Sequence, residues 1–143
     1  MTVTTTPGPA RHPGYSRTLP REPESAGAAR KLVRTALAAW EQDDLVEDAL
    51  LITTELVSNA LDHACHGPMR IIVSLPTDQL VRIGVVDRSK AVPMMRTDDA
   101  GGDDLRGRGL LLVDALSDRW GTDLYRWGKQ VWSELVCSGP PPP

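Results

Sequence analysis

The 143-residue chain has few cysteines, no excess of basic charge and no long apolar run. Cys65 and Cys137 form no CxxC pair, which favours reduced thiols over a disulfide framework or a metal centre. The formal net charge of −3 gives no reason to expect a nucleic-acid-binding surface. We therefore expect no direct contact with DNA or RNA.

Membrane-spanning and export signals are also missing from the apolar pattern. The longest apolar run, GLLLV, is far too short to cross a bilayer, and the segment MTVTTTPGPARHPG lacks the apolar centre of a signal peptide. These features predict a cytoplasmic protein without membrane attachment. The ends, 1–13 and 138–143, are rich in residues such as Pro and Gly, and they are predicted to be flexible tails around one folded domain, 14–137.

The spacing of apolar residues predicts three helices and two hairpins. Apolar positions recur at three and four over 23–41 and again after an N-cap at Asp43 or Asp44, up to about Cys65; a third helix begins near Gly109. Segments rich in β-branched residues predict a short first strand at YSRTLP, a hairpin of MRIIVSLP and LVRIGVVD, and a closing hairpin of RWGTDLYRWG and KQVWSELVC. The order β-α-α-β-β-loop-α-β-β predicts an α/β two-layer sandwich, with helices packed on one face of a mixed, mostly antiparallel sheet.

Familiar phosphate-binding motifs are absent. The sequence contains neither a GxxxxGK[ST] P-loop nor a GxGxxG turn after a strand, and it has no protein-kinase motifs. Instead, GRG at 107–109 follows a long predicted loop and opens the third predicted helix. Free N–H groups at a helix N-terminus can bind phosphate, and glycine allows a close approach. The alternative is a flexible loop hinge, which is the commoner role of such a motif taken alone.

The stretch ELVSNALDHA combines a buried-helix pattern with polar residues. At about 100° per residue, Glu55, Asn59 and Asp62 share one side of the helix and His63 lies at its edge. Asn is unfavourable inside a helix, so a merely solvated face would carry Lys, Gln or Glu. An amide oxygen at Asn59 suits Mg²⁺, and an ionised Glu55 can accept a proton. The polar stripe is therefore a candidate metal and catalytic site.

A single carboxylate, Asp87, ends the apolar strand IGVVD. A carboxylate at a strand end beside a pocket can accept a hydrogen bond from an exocyclic amine, the group that distinguishes adenine from guanine. The alternative is an ordinary turn-starting aspartate.

Four segments together resemble the GHKL (Bergerat-fold, histidine-kinase-like) ATPase superfamily, and within it the small anti-sigma-factor serine/threonine kinases. ELVSNALDHA is similar to the N box and VVDRS to the first glycine box. GRGLLLVDALSDRWG is similar to the second glycine box and GKQVWSEL to the closing strand. The resemblance extends over about residues 23–136 and implies the Bergerat fold with ATP and Mg²⁺ as cofactors.

The resemblance also implies roles for individual residues. Asn59 would hold Mg²⁺, Glu55 would act as general base, and Asp87 would bind the adenine amine. The residues implied to hold the phosphates are Arg106, Gly107, Arg108 and Gly109. The further nucleotide contacts implied are Asp62, His63, Ser89, Leu110 and Gln130.

Two boxes depart from the superfamily pattern. Ser89 and Ala91 occupy glycine positions of the first glycine box. Gln130 stands where the anti-sigma branch usually places a threonine that supports the contact between Asp87 and adenine. Histidine kinases of the superfamily phosphorylate a histidine on a separate helix pair, so His63 is interpreted as an edge residue of the site and not as a phosphoacceptor.

The function implied is that of an anti-sigma-factor kinase, which binds a sigma factor, phosphorylates a Ser or Thr of a STAS-domain antagonist and forms a homodimer. One alternative is a non-catalytic module of the same fold that presents a protein-binding surface, with or without ATP. The other is a simple ATP hydrolase.

Overall fold

The computed structural model describes residues 14–63, 67–90 and 108–137. Its elements follow the predicted order. They are β1 (Tyr15–Leu19), α1 (Ser25–Ala39), α2 (Val46–His63), β2 (Met69–Thr77), β3 (Leu80–Asp87), α3 (Arg108–Leu116), β4 (Arg119–Leu124) and β5 (Lys129–Val136). The two predicted tails and most of the predicted long loop, 91–107, lie outside the described residues.

Five strands form one sheet in the order β1-β2-β3-β5-β4. The β2–β3 and β4–β5 pairs are the two predicted hairpins, and β3 pairs with β5. All four pairings among the described residues are antiparallel, so the parallel component of the predicted mixed sheet is not found there. The register of the β3–β5 pair places Asp87 opposite Lys129.

The helices cover one face of this sheet, as the two-layer prediction requires. α1 packs on β1 and β2, α2 packs on β3 and β5, and α2 also contacts α1 and α3. Alternate residues of a strand point to the same face, and in β3 the buried set is Val81, Ile83, Val85 and Asp87. Burial of each such apolar side chain contributes about 1.5–3 kcal/mol. The same face that forms the core therefore carries one carboxylate at the end of its central strand.

α1 ends two residues earlier than predicted. Glu41 has a φ of +57°, and the amide of Gln42 donates to the carbonyl oxygen of Leu37 at 2.8 Å. This closure is the Schellman motif, whose left-handed position is usually occupied by glycine. Glu41 therefore belongs to the turn that stops the helix and not to the helix itself.

A short 3₁₀ helix precedes α2 at the position where an N-cap residue was predicted. Asp43 and Asp44 begin a 3₁₀ turn, Asp43–Leu45, which leads directly into α2. Leu45 is buried in the core and directly precedes α2, so neither aspartate occupies the position before the helix. Among the described residues, no helix is long and apolar enough to cross a membrane.

Candidate functional site

Helix α2 carries a buried polar atom that has no hydrogen-bond partner among the described residues. Asn59 is half-buried, and its amide oxygen Oδ1 is buried without a hydrogen-bond donor among the described residues. Two hydroxyls of the same helix are paired: that of Thr53 donates to the carbonyl oxygen of Ala49 at 2.7 Å, and that of Thr54 to the carbonyl oxygen of Leu50 at 3.0 Å. An unpaired buried acceptor costs about 1–3 kcal/mol. Such an atom calls for an explanation, and a bound ligand or water would supply one.

The chemistry of that oxygen fits a hard cation. Amide oxygens are good Mg²⁺ ligands, and a protein-bound Mg²⁺ usually keeps several waters and takes further oxygens from a substrate phosphate. Within 14–63, 67–90 and 108–137, no group of three or more His, Cys, Asp or Glu residues is arranged to hold a metal. Because it is a hard oxygen ligand, the Asn59 amide oxygen would suit a Mg²⁺ ion that is bound together with phosphate.

Glu55 precedes Asn59 by one helical turn. Residues at i and i+4 are neighbours on a helix surface, about 5–6 Å apart between their Cβ atoms. Glu55 is half-buried and Asp62 is exposed, so the predicted stripe runs from a sheltered carboxylate to a solvated one. Glu55 and Asn59 therefore form the sheltered part of the site, and Asp62 lies at its solvent side.

Asp87 is the buried carboxylate at the end of β3, with a relative exposure of 2%. Its Oδ1 accepts a hydrogen bond from the amide of Ser89 at 2.8 Å. The ammonium of Lys129 lies 2.9 Å from Oδ1 and 3.0 Å from Oδ2 of the same carboxylate, and 3.2 Å from the carbonyl oxygen of Ser89. The bond from Ser89 is the turn-starting role of the alternative interpretation, and in addition the carboxylate is half of a buried ion pair.

The structure brings Lys129, and not Gln130, to Asp87. Gln130 points away from the helices: its amide nitrogen donates to the Tyr125 hydroxyl at 2.8 Å, and its Oε1 lies over Gly84, where an added Cβ would be only 2.2 Å away. The reason is the two-residue period of a strand, which places neighbouring side chains on opposite faces. A nucleotide contact by Gln130 stays a prediction, and this placement gives it no support.

Lys129 could have been found from the sequence. It alternates with the buried residues Val131, Ser133 and Leu135, which marks it as a residue of the core face. A lysine in that register requires a buried anion, because an unpaired charge would not be tolerated there. Asp87 was the only acidic residue already assigned to a buried strand end.

Gly128 holds the turn before β5 against the end of β3. A Cβ added at Gly128 would lie 2.0 Å from the carbonyl oxygen of Asp87 and 2.9 Å from the Cα of Arg88. No side chain other than hydrogen fits in that gap. The backbone of the β4–β5 turn therefore packs directly on the residues that carry the buried carboxylate.

Comparison with known proteins decides the family. A sequence profile described as the histidine kinase-like ATPase domain matches residues 19–132 of the chain. The chain belongs to this family. The resemblance to GHKL ATPases that the four sequence segments indicated is thereby confirmed.

A curated protein and a solved structure are similar to this histidine kinase-like ATPase domain. A segment of 71 residues, 49% of the chain, is 35% identical to the uncharacterized protein SCO4941 of Streptomyces coelicolor and covers 68% of that protein. The fold is similar to that in the crystal structure of the RsbU and RsbW domains of Rv1364c from Mycobacterium tuberculosis, with a TM-score of 0.67 and 22% identity. That match covers 90% of this chain but 34% of the solved chain. The predicted Bergerat sandwich is confirmed.

The remaining predicted site residues of the ATPase domain are described to different extents. Ser89 is buried next to Asp87, and Leu110 is buried at 1% exposure in α3. Arg108 and Gly109 begin α3, a helix that packs against α2. The predicted residues that lie outside the described part of the chain are Arg106, Gly107, Ala91 and the side chains of His63 and Arg108.

Proposed function

We propose that this chain binds ATP together with Mg²⁺ and acts as an anti-sigma-factor serine/threonine kinase. The observation that carries the proposal is the buried Oδ1 of Asn59 on the polar face of α2, which has no hydrogen-bond partner among the described residues. The histidine kinase-like ATPase family and the likeness to a fold that includes an RsbW domain support the same class of function.

The residues of α2 have separate tasks in this proposal. Asn59 would hold a bound Mg²⁺, which would neutralise phosphate charge during transfer. Glu55 is half-buried one turn away and would accept the proton of the hydroxyl that attacks the phosphate. Its position on a packed helix, not on a loop, keeps the carboxylate at a constant distance from Asn59.

The two other parts of the proposed site position the nucleotide. Asp87 would accept a hydrogen bond from the adenine amine at the buried end of β3. Arg106, Gly107, Arg108 and Gly109 would hold the phosphates, with the backbone N–H groups at the start of α3 turned towards them. The further contacts in the proposal are Asp62, His63, Ser89 and Leu110.

The proposed partners are a sigma factor and a STAS-domain protein that carries the phosphorylated Ser or Thr. The support is the RsbW domain in the solved relative, of whose chain this one spans about a third. The proposal includes a homodimer and a cytoplasmic location. In this scheme the chain regulates transcription by sequestering the sigma factor, without touching DNA itself.

Calorimetric titration with ATP, with and without Mg²⁺, tests the proposal directly. The wild type is expected to bind ATP more tightly with Mg²⁺, and Asn59→Ala is expected to lose that difference while keeping weak metal-free binding. Ser58→Ala is the matched control, because Ser58 is the exposed neighbour on the same helix. No ATP binding by the wild type, or unchanged Mg²⁺ dependence in Asn59→Ala, would contradict the proposal.

A non-catalytic binding module is the second candidate, and the departures from the superfamily pattern at Ser89 and Gln130 favour it. Glu55→Gln separates the candidates: a kinase would keep ATP binding but lose phosphate transfer to a purified STAS-domain protein. If wild type and Glu55→Gln bind ATP and neither transfers phosphate to any STAS protein offered, the binding module is the better description.

A further inference from the structure

The Lys129–Asp87 ion pair is almost completely buried. The side chain of Lys129 has a relative exposure of 0% and that of Asp87 of 1%. A lysine ammonium has three N–H donors, and Lys129 has three acceptors within reach: both oxygens of Asp87 and the carbonyl oxygen of Ser89. Every proton of the ammonium is thus used inside the protein. Lys129 has no donor left with which to touch a ligand.

The carboxylate, in contrast, keeps one free position. An ionised carboxylate offers about four acceptor sites, two on each oxygen. Among the described residues, Oδ1 accepts from Lys129 and from the amide of Ser89, whereas Oδ2 accepts from Lys129 alone. One acceptor position of Oδ2 is therefore unused among the described residues, and an external N–H donor would have to displace the groups that now cover the pair to reach it.

Stability alone is a weak reason for such a pair. A buried ion pair is often no more stabilising than well-packed apolar residues of similar volume, because desolvation offsets the attraction. The same strand face has Val131 at the next alternate position and Leu135 further along, so apolar side chains are accepted on it. What an ion pair provides and an apolar pair does not is a fixed direction for the carboxylate.

We propose that Lys129 is a positioning residue that fixes the Asp87 carboxylate so that Oδ2 accepts the 6-amino group of a purine. The preference of the site for adenine over a purine without that group then depends on Lys129, although Lys129 does not touch the nucleotide. Gly128 also contributes, because its backbone packs directly on the Asp87 carbonyl group and limits movement of the Asp87 backbone in that direction. This inference rests on the proposed binding of ATP.

The test compares ATP with the triphosphate of purine riboside, which lacks the 6-amino group. The wild type is expected to bind ATP about tenfold or more tightly than the analogue, the ratio for one hydrogen bond to a charged group. In Lys129→Met, which keeps the length but not the charge, the ratio is expected to fall to about twofold or less. A purely structural role would weaken both ligands equally and leave the ratio unchanged.

A double-mutant cycle shows whether Lys129 acts through Asp87. Asp87→Asn alone is expected to remove the preference for ATP, and the addition of Lys129→Met should then change the ratio no further. The matched control is Arg119→Met, which removes the cation of an ion pair with Glu134 (2.8 Å) on the opposite face of the sheet. This control is expected to keep the wild-type ratio.

Thermal unfolding of each variant establishes that it is folded. If Lys129→Met does not fold, Lys129→Gln, which keeps N–H donors on a neutral side chain, takes its place, and an intermediate ratio is expected. The inference is overturned if the substituted protein folds and retains the full wild-type ratio, or if the wild type binds both triphosphates equally. If the wild type binds neither, the proposed function fails and this inference with it.

Discussion

Replacing Asn59 by leucine should make the protein more stable and less able to use Mg²⁺. Leucine has nearly the shape of asparagine but no polar atoms, so it removes the buried Oδ1 that lacks a partner among the described residues. Relief of an unsatisfied acceptor is worth about 1–3 kcal/mol. Leucine also has the higher helix propensity, by about 0.5 kcal/mol.

The substitution also removes any hydrogen bond that the side-chain amide nitrogen of Asn59 donates, and that loss lowers the free energy of unfolding by about 0.5–1.5 kcal/mol. The expected net gain in the free energy of unfolding is therefore about 1–2 kcal/mol, obtained as the two gains minus that loss. For a chain of this length, such a gain raises the melting temperature by about 3–8 °C. A functional residue that lowers stability is a common compromise, because the site is shaped for its ligand.

Urea unfolding without nucleotide or metal measures the stability, and calorimetry with ATP and Mg²⁺ measures the function. Ser58→Ala is the control, with a change within about 0.5 kcal/mol because Ser58 is exposed. The reasoning would be refuted if Asn59→Leu lowered the free energy of unfolding by more than about 1 kcal/mol, since Oδ1 would then have a structural partner. It would equally be refuted if Asn59→Leu were stabilised but retained its Mg²⁺ dependence.

Three further predictions concern stability and reactivity. Glu41→Gly should stabilise the fold by about 0.5–1 kcal/mol in urea unfolding, because Glu41 holds a φ of +57° that costs a residue with a Cβ more than it costs glycine; a loss of stability would contradict this. Gly128→Ala should destabilise by more than about 3 kcal/mol, because its Cβ would lie 2.0 Å from the Asp87 carbonyl oxygen, and a melting temperature equal to that of the wild type would show that the turn can shift. Burial raises the pKa of the Cys137 thiol above its usual 9.0, so in a Cys65→Ala protein alkylation of Cys137 at pH 8 should be slower in the folded state than in urea, and equal rates would exclude the shift. The contribution of this thiol to the free energy of unfolding should be lost as the pH rises above the usual pKa.

The fold was largely predictable because its signals are local. The three-and-four spacing in α1 and the β-branched runs of β2 and β3 each define an element without reference to the rest of the chain. The errors fell at element ends, where a few hydrogen bonds decide. Glu41 adopts a left-handed conformation and Asp43 begins a 3₁₀ helix, because the chain turns sharply between two packed helices. No local sequence pattern predicted that turn.

Half of the candidate site was also visible in the sequence. Helical period alone places Glu55 and Asn59 on one polar face, and a strand that ends in Asp87 marks a carboxylate. The sequence could not show that Asn59 Oδ1 would be buried without a partner, because burial depends on how α2 sits on the sheet and beside α3.

The amino-acid sequence by itself determined the order of the elements, the family and the polar stripe of the second helix, since each follows from residue types at short spacing. Only the tertiary structure decided which residue of β5 faces Asp87. Residues forty-two positions apart in the chain meet through the register of two antiparallel strands, and a shift of one residue would have turned Gln130 inward and Lys129 to solvent. Register is a property of the assembled sheet, and for that reason the buried Lys129–Asp87 pair appears only once the strands are paired.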